Sequence, residues 1–205
     1  PDNRPPQEVY AAVCQQAHEL VEEQYRVLNE VLIPELDQGA SRRIALGVGL
    51  ATAAACLVLL AGFDPSLTTP QFAHRSDGGA YGWGWLTRPD VRFALGLDGL
   101  SIWLFVLTGV LMITAILSSW ESIKDRAPLY YAFLLALETG LLGLFAALDV
   151  ILFYVFFEFT LIPLFFLIGL WGGPQRQRAS VYFFLYTLAG SLLTLVGVIA
   201  FVRSR

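Results

Sequence analysis

ILFYVFFEFTLIPLFFLIGLW, residues Ile151–Trp171, places one carboxylate, Glu158, among 21 residues that otherwise carry no charge, with Pro163 five positions on. About 20 apolar residues suffice for a helix to cross roughly 30 Å of hydrocarbon. A carboxylate left at that depth costs roughly 2.5–3.5 kcal/mol on insertion scales, which makes it a functional candidate by default. The stretch predicts a membrane-spanning helix built around an acid.

Working outward, four more long apolar runs appear. Residues 44–62 are uncharged, residues 99–120 are uncharged and preceded by Asp98, which can cap a helix N-terminus, residues 127–148 are interrupted only by Glu138, and residues 179–202 carry no charge. With the span at 150–171 they predict an all-α polytopic membrane protein with five transmembrane helices. The composition agrees: 56% of the 205 residues are hydrophobic and 15% are charged, a balance foreign to soluble domains. Residues 1–40 hold eight acidic and two basic side chains, whereas residues 41–205 hold nine and eleven, so the two parts follow different rules.

Lys and Arg resist translocation, so the basic flanks set the orientation. Arg42 and Arg43 precede the first span, Lys124 and Arg126 join the second to the third, and Arg176 and Arg178 join the fourth to the fifth. All six fall on one face, predicted to be cytoplasmic; Arg203 and Arg205 fall on the other. The connection 63–97 is then extracytoplasmic. Tyr81, Trp83 and Trp85 among Gly78, Gly79, Gly82, Gly84 and Gly96 predict an irregular loop with an aromatic belt at headgroup level, and His74 in it reads as solvated.

Residues 7–33 differ. Val9, Val13, Ala17, Leu20, Val21, Leu28, Val31 and Leu32 recur at three- and four-residue steps with acidic side chains between them, which predicts an amphipathic helix ending before Pro34. Its polar face is acidic rather than Lys/Arg-rich, so it reads as a soluble packing helix, not a surface-seeking one. His18 on it is a surface histidine, and Cys14 and Cys56 have no partner at metal or redox spacing.

Burial and a neighbouring cation act in opposite senses on a carboxyl's hold on its proton, and that balance lets a buried acid exchange protons. Glu158 fits a relay. Pro163 offers no N–H to the carbonyl of Phe159, one residue from Glu158, and so frees a polar group and bends the helix beside the acid. The alternative is a structural acid, permanently protonated or paired with a lysine on another helix. Glu138 near the middle of its span is the second polar station, Asp149 reads as a helix cap or loop acid, and Tyr182, Tyr186 and Thr187 offer hydroxyls that extend a path or glue helices together. Gly47, Ala51 and Ala55 form a small-residue stripe suited to close approach of another helix, inside the chain or beyond it. The sequence shows no cysteine cluster, no haem-type histidine pair and no Gly-rich phosphate loop, so no cofactor is expected on this chain and the driving energy is released elsewhere.

Several strings carry a family resemblance: Leu97-Asp98-Gly99-Leu100-Ser101 opening a span, Phe153-Tyr154-Val155-Phe156-Phe157-Glu158-Phe159 followed by Leu161-Ile162-Pro163, Gly169-Leu170-Trp171-Gly172-Gly173, and Phe183 to Ser191. From residue 41 on, the chain resembles chain M, or subunit 4, of proton-translocating NADH:quinone oxidoreductase, respiratory complex I. The resemblance implies an incomplete antiporter-like subunit of the bacterial inner membrane, with Glu158 as the acid that pairs with a lysine on a later helix. It implies protons, the lipid bilayer and other membrane subunits of complex I as partners, and no nucleic acid. NADH, flavin, iron–sulfur clusters and quinone are then expected on partner subunits. Two other readings stand beside it: a subunit of a multi-subunit cation/proton antiporter, and a non-transporting, membrane-tethered interaction protein. Residues 5–38 instead resemble part of the amino-terminal helical domain of a polyphosphate kinase, through His18 to Glu30 and Leu32-Ile33-Pro34; a fused or misjoined reading frame would join the two parts.

Overall fold

The computed structural model describes residues 38–67, 69–73, 82–87 and 90–203. The amphipathic helix expected at 7–33, with Cys14 and His18, lies outside the described residues, as do His74 and Tyr81. Among the described residues five helices follow one another: α1 (Gln38–Ala61), α2 (Ser101–Ser119), α3 (Ala127–Ala146), α4 (Val150–Trp171) and α5 (Arg176–Arg203). All five are long and apolar enough to cross a membrane. The shortest, 19 residues, is about 28 Å long at 1.5 Å per residue.

The helices pack in sequence order. Helices α1, α2 and α3 make mutual contacts, α4 leans on α3, and α5 leans on α4. Ala45, Met112, Ile116, Ala127, Tyr131 and Leu134 form the tightest apolar cluster, at the end of the bundle that also carries the basic flanks. Two hydrogen bonds close that end. Arg42 Nη2 donates to the Ile123 carbonyl at 2.7 Å, and Trp171 Nε1 donates to the Asp125 carbonyl at 3.1 Å.

The opposite end departs from the expected irregular loop. Strands β1 (Trp83–Thr87) and β2 (Asp90–Phe93) pair antiparallel, with an irregularity between Gly84 and Leu86. Aromatic and β-branched residues favour a pleated ribbon, and they outweigh the glycines that made the stretch read as structureless. Past β2, Leu148 N donates to Ala94 O at 2.9 Å and Gly96 N to Ala146 O at 2.8 Å, so residues 94–96 pair with the α3–α4 link. A Cβ on Gly96 would lie 2.8 Å from Ala73 Cβ and 2.9 Å from Leu148 Cδ1; glycine is what lets the strands close there.

The stripe of small residues on α1 that the described helices cover is not Gly47, Ala51 and Ala55. Its neighbour α2 approaches at Gly49, Ala53 and Cys56, where a Cβ on Gly109 would sit 3.1 Å from Ala53 Cα. Gly47, Ala51 and Ala55 are exposed instead, and a Cβ on Gly47 would meet nothing within 4 Å. Alanine and glycine surround α1 on all sides, so composition alone does not say which stripe is in contact.

Both acids expected as caps serve as caps. Asp149 Oδ1 accepts from Ile151 N at 2.8 Å and Leu152 N at 3.3 Å, while its Oδ2 accepts from Arg92 N at 3.3 Å, tying β2 to the start of α4. Asp98 Oδ1 accepts from Leu100 N and Ser101 N at 3.0 and 2.7 Å, and Ser101 Oγ accepts in return from Asp98 N at 2.8 Å. The Ser101 amide, ahead of the smaller opposing effect of burial, holds the Asp98 carboxyl below its usual range. A depressed carboxyl contributes stability above its unfolded value, about 3.9, and loses it as pH falls through the lower folded value. Asp98→Ala is therefore expected to cost about 1 kcal/mol of local helix stability at neutral pH and much less in strong acid, read by hydrogen exchange at the Leu100 and Ser101 amides.

Candidate functional site

Two antiparallel seams on α4 decide which way its acid points. Toward α3, Gly143 meets Phe156, Gly140 meets Phe159 and Thr160, and Phe133 stacks on Phe166 with ring centroids 4.9 Å apart. Toward α5, Gly169 meets Ser180, Phe165 meets Phe184 edge-on at 5.6 Å, and Glu158 meets Ser191. In each seam the α4 numbers fall by the same steps as the partner's rise, the mark of a fixed register between antiparallel helices. At about 100° per residue, Glu158 stands some 200° around the helix from both Phe156 and Thr160. It turns its back on α3.

Glu158 is half-buried, and its Oε1 accepts a hydrogen bond from Ser191 Oγ on α5. Ser191 is itself buried, and its Oγ also lies 3.0 Å from the Leu188 carbonyl oxygen. Pro163, inside α4, is buried one turn and a residue beyond the acid.

Glu138 takes the opposite side. It is 3% exposed, and its Oε1 has no hydrogen-bond partner among the described residues. It stands two residues before Gly140, hence on the far side of α3 from α4 and on the side of Cys56 of α1. The two expected proton stations are thus not brought together. Glu158 belongs to the α4–α5 seam and Glu138 to the α1–α2–α3 core, with the α3–α4 packing between them.

A buried acid oxygen left unpartnered destabilises the fold by about 1–3 kcal/mol. Glu138→Leu is accordingly expected to stabilise the bundle against denaturing detergent by about that amount. An unchanged or lowered unfolding midpoint would show that the carboxyl finds a partner in the membrane.

Of the expected hydroxyls, Tyr186 is 77% exposed and Thr187 spends its proton on the Phe183 carbonyl at 2.7 Å. Tyr182 packs under Arg178, 5.9 Å from the guanidinium carbon. Neither Tyr186 nor Thr187 is hydrogen-bonded to the acid. The residue that sequence reasoning missed is Ser191, four positions after Thr187 and so on the same face of α5. Its signal was the seven-residue step from Phe184, which becomes visible only when the seam is known.

Residues 147–205, covering α4 and α5 with both partners of the Glu158–Ser191 bond, match the family model described as NADH:quinone oxidoreductase/Mrp antiporter, transmembrane. That segment is similar to this family. NADH-quinone oxidoreductase subunit M of Rhodobacter capsulatus is 41% identical over 82% of this chain and 30% of its own length. NADH-ubiquinone oxidoreductase chain 4 of Metridium senile is 38% identical over 84% of this chain and 35% of its own. F(420)H(2) dehydrogenase subunit M of Methanosarcina mazei is 34% identical over 77% of this chain and 31% of its own. The chain spans about a third of the length of these relatives. It is a multi-pass membrane protein.

Proposed function

We propose that this chain forms part of a proton-translocating membrane subunit of NADH:quinone oxidoreductase, in which Glu158 is a proton-carrying acid and Glu138 a second, separate station. The observation that carries the reading is the Glu158–Ser191 contact: a carboxyl at mid-span, on a helix with Pro163 inside it, met by a hydroxyl of the neighbouring helix. An acid that only had to be neutralised would be cheaper as leucine at this depth. Proton exchange gives a reason to keep it.

The names of the relatives support the assignment and bear on what drives it. One relative is named for NADH and another for F(420)H(2), so likeness to this chain does not follow the electron donor. Electron transfer then belongs to partner subunits, which would carry flavin, iron–sulfur clusters and quinone, while this chain moves protons within the lipid bilayer. The basic end of the bundle, with Arg42, Lys124 and Arg176, would face the cytoplasm of a bacterial inner membrane.

The test is Glu158→Gln in the full-length chain, assembled with its partners in sealed vesicles. Donor-driven proton uptake should vanish. Undiminished uptake would return the chain to the reading of an inert, membrane-tethered scaffold.

A further inference from the structure

Ser191 has one hydroxyl proton and two places to put it. Its Oγ contacts Glu158 Oε1 and also lies 3.0 Å from the Leu188 carbonyl oxygen. A hydroxyl donates once and accepts twice, an ionised carboxylate only accepts, and a protonated one donates. The two contacts therefore describe two arrangements of the same heavy atoms. With Glu158 ionised, the Ser191 O–H donates to Oε1. With Glu158 protonated, the carboxyl O–H donates to Ser191 Oγ, and the serine hydrogen turns to the Leu188 carbonyl, whose second lone pair is free of the helix ladder.

We infer that Ser191 is the positioning residue that partners Glu158 in both of its protonation states, so that the acid gains and loses a proton without either form being stranded in the seam. The inference rests on the proposed role of Glu158 and adds a second residue to it. One proton arrives at Oε1 or leaves it, and one hydroxyl rotates about its Cβ–Oγ bond; no heavy atom has to move. The seam holds the geometry, because Gly169 against Ser180 and Phe165 against Phe184 set the register that puts Ser191 opposite Glu158. Thr187, one turn earlier, cannot substitute while its hydroxyl is bound to Phe183. Tyr186 faces outward.

The experiment places Ser191→Ala, Ser191→Thr and Glu158→Gln in the full-length chain of the assembled membrane complex. It reads donor-driven proton uptake together with the redox-induced infrared band of the protonated carboxyl, identified as the band that Glu158→Gln removes. Ser191→Ala should lower uptake about tenfold, equivalent to about 1.4 kcal/mol, and move that band to higher frequency as the carboxyl loses its acceptor. Ser191→Thr, which restores a hydroxyl, should return uptake to within about twofold and the band to its place. Uptake and band unchanged in Ser191→Ala, with uptake abolished in Glu158→Gln, would overturn the role of Ser191 and leave that of Glu158 standing. Equal damage from Ala and Thr would also overturn it, since the serine would then matter only for its size. Full uptake in Glu158→Gln would remove the reading on which both depend.

Discussion

Glu158→Gln should leave the complex assembled and stop proton uptake, whereas Glu158→Asp should keep a slow remnant of it. Glutamine matches glutamate in length and volume and still accepts a hydrogen bond from Ser191, so the α4–α5 seam has no reason to open. What it lacks is a proton to exchange. Positioned acid–base groups contribute about 100-fold or more to proton transfer, so uptake should fall to the leak rate of the vesicles. Aspartate keeps the acid and draws it back by about 1.5 Å, one carbon–carbon bond, out of reach of Ser191 Oγ; displacement on that scale costs up to about 100-fold. The order glutamate, aspartate, glutamine is the signature of an acid that must be both present and placed. Equal uptake in aspartate and glutamine variants would point to a residue whose length alone counts.

Gly143→Leu should prevent the bundle from forming. A Cβ at this position would lie 2.3 Å from Phe156 Cε1 and 2.6 Å from its Cζ, well inside any real carbon contact. Relief requires the Phe156 ring to leave the α3 surface or α3 and α4 to separate. Overpacking by a few carbons costs about 1–3 kcal/mol in a core, and leucine adds four to a place that has no room for one. The amount of folded chain recovered from membranes should drop about tenfold or more, as expected for a loss above 1.4 kcal/mol. Gly173→Ala is the control, because a Cβ there would meet nothing within 4 Å and the residue is exposed in the α4–α5 link. It should recover to the level of the unaltered chain.

Much of the architecture was legible because a membrane imposes a rule a sequence can display. Long uncharged runs between charged flanks become helices, since backbone polar groups in hydrocarbon must be satisfied within the segment. The acids at helix starts were equally readable. Asp98 and Asp149 stand where amides lack partners, and a short carboxylate side chain reaches those amides without help from the rest of the fold. The hairpin at Trp83–Phe93 was not read, because a glycine-rich stretch looks alike whether it wanders or pairs; what decides is the docking of residues 94–96 on the α3–α4 link.

Glu158 and Glu138 were visible as residues, but not as neighbours of anything. In a helix that is apolar all round, periodicity carries no facing information, so nothing in the order of residues says that Glu158 looks to α5 and Glu138 toward α1.

By itself, then, the order of amino acids determined that this chain crosses a membrane, where the crossings fall and that acids are placed inside them, because apolar length and isolated charge are properties of a linear string. Tertiary structure alone decided that the two acids part company, that Gly49, Ala53 and Cys56 rather than Gly47, Ala51 and Ala55 face a neighbour, and that a serine 33 positions along the chain meets Glu158. Those outcomes turn on helix rotation and register. They are set by which aromatic ring fits over which glycine, a property of two surfaces in contact and of neither sequence alone.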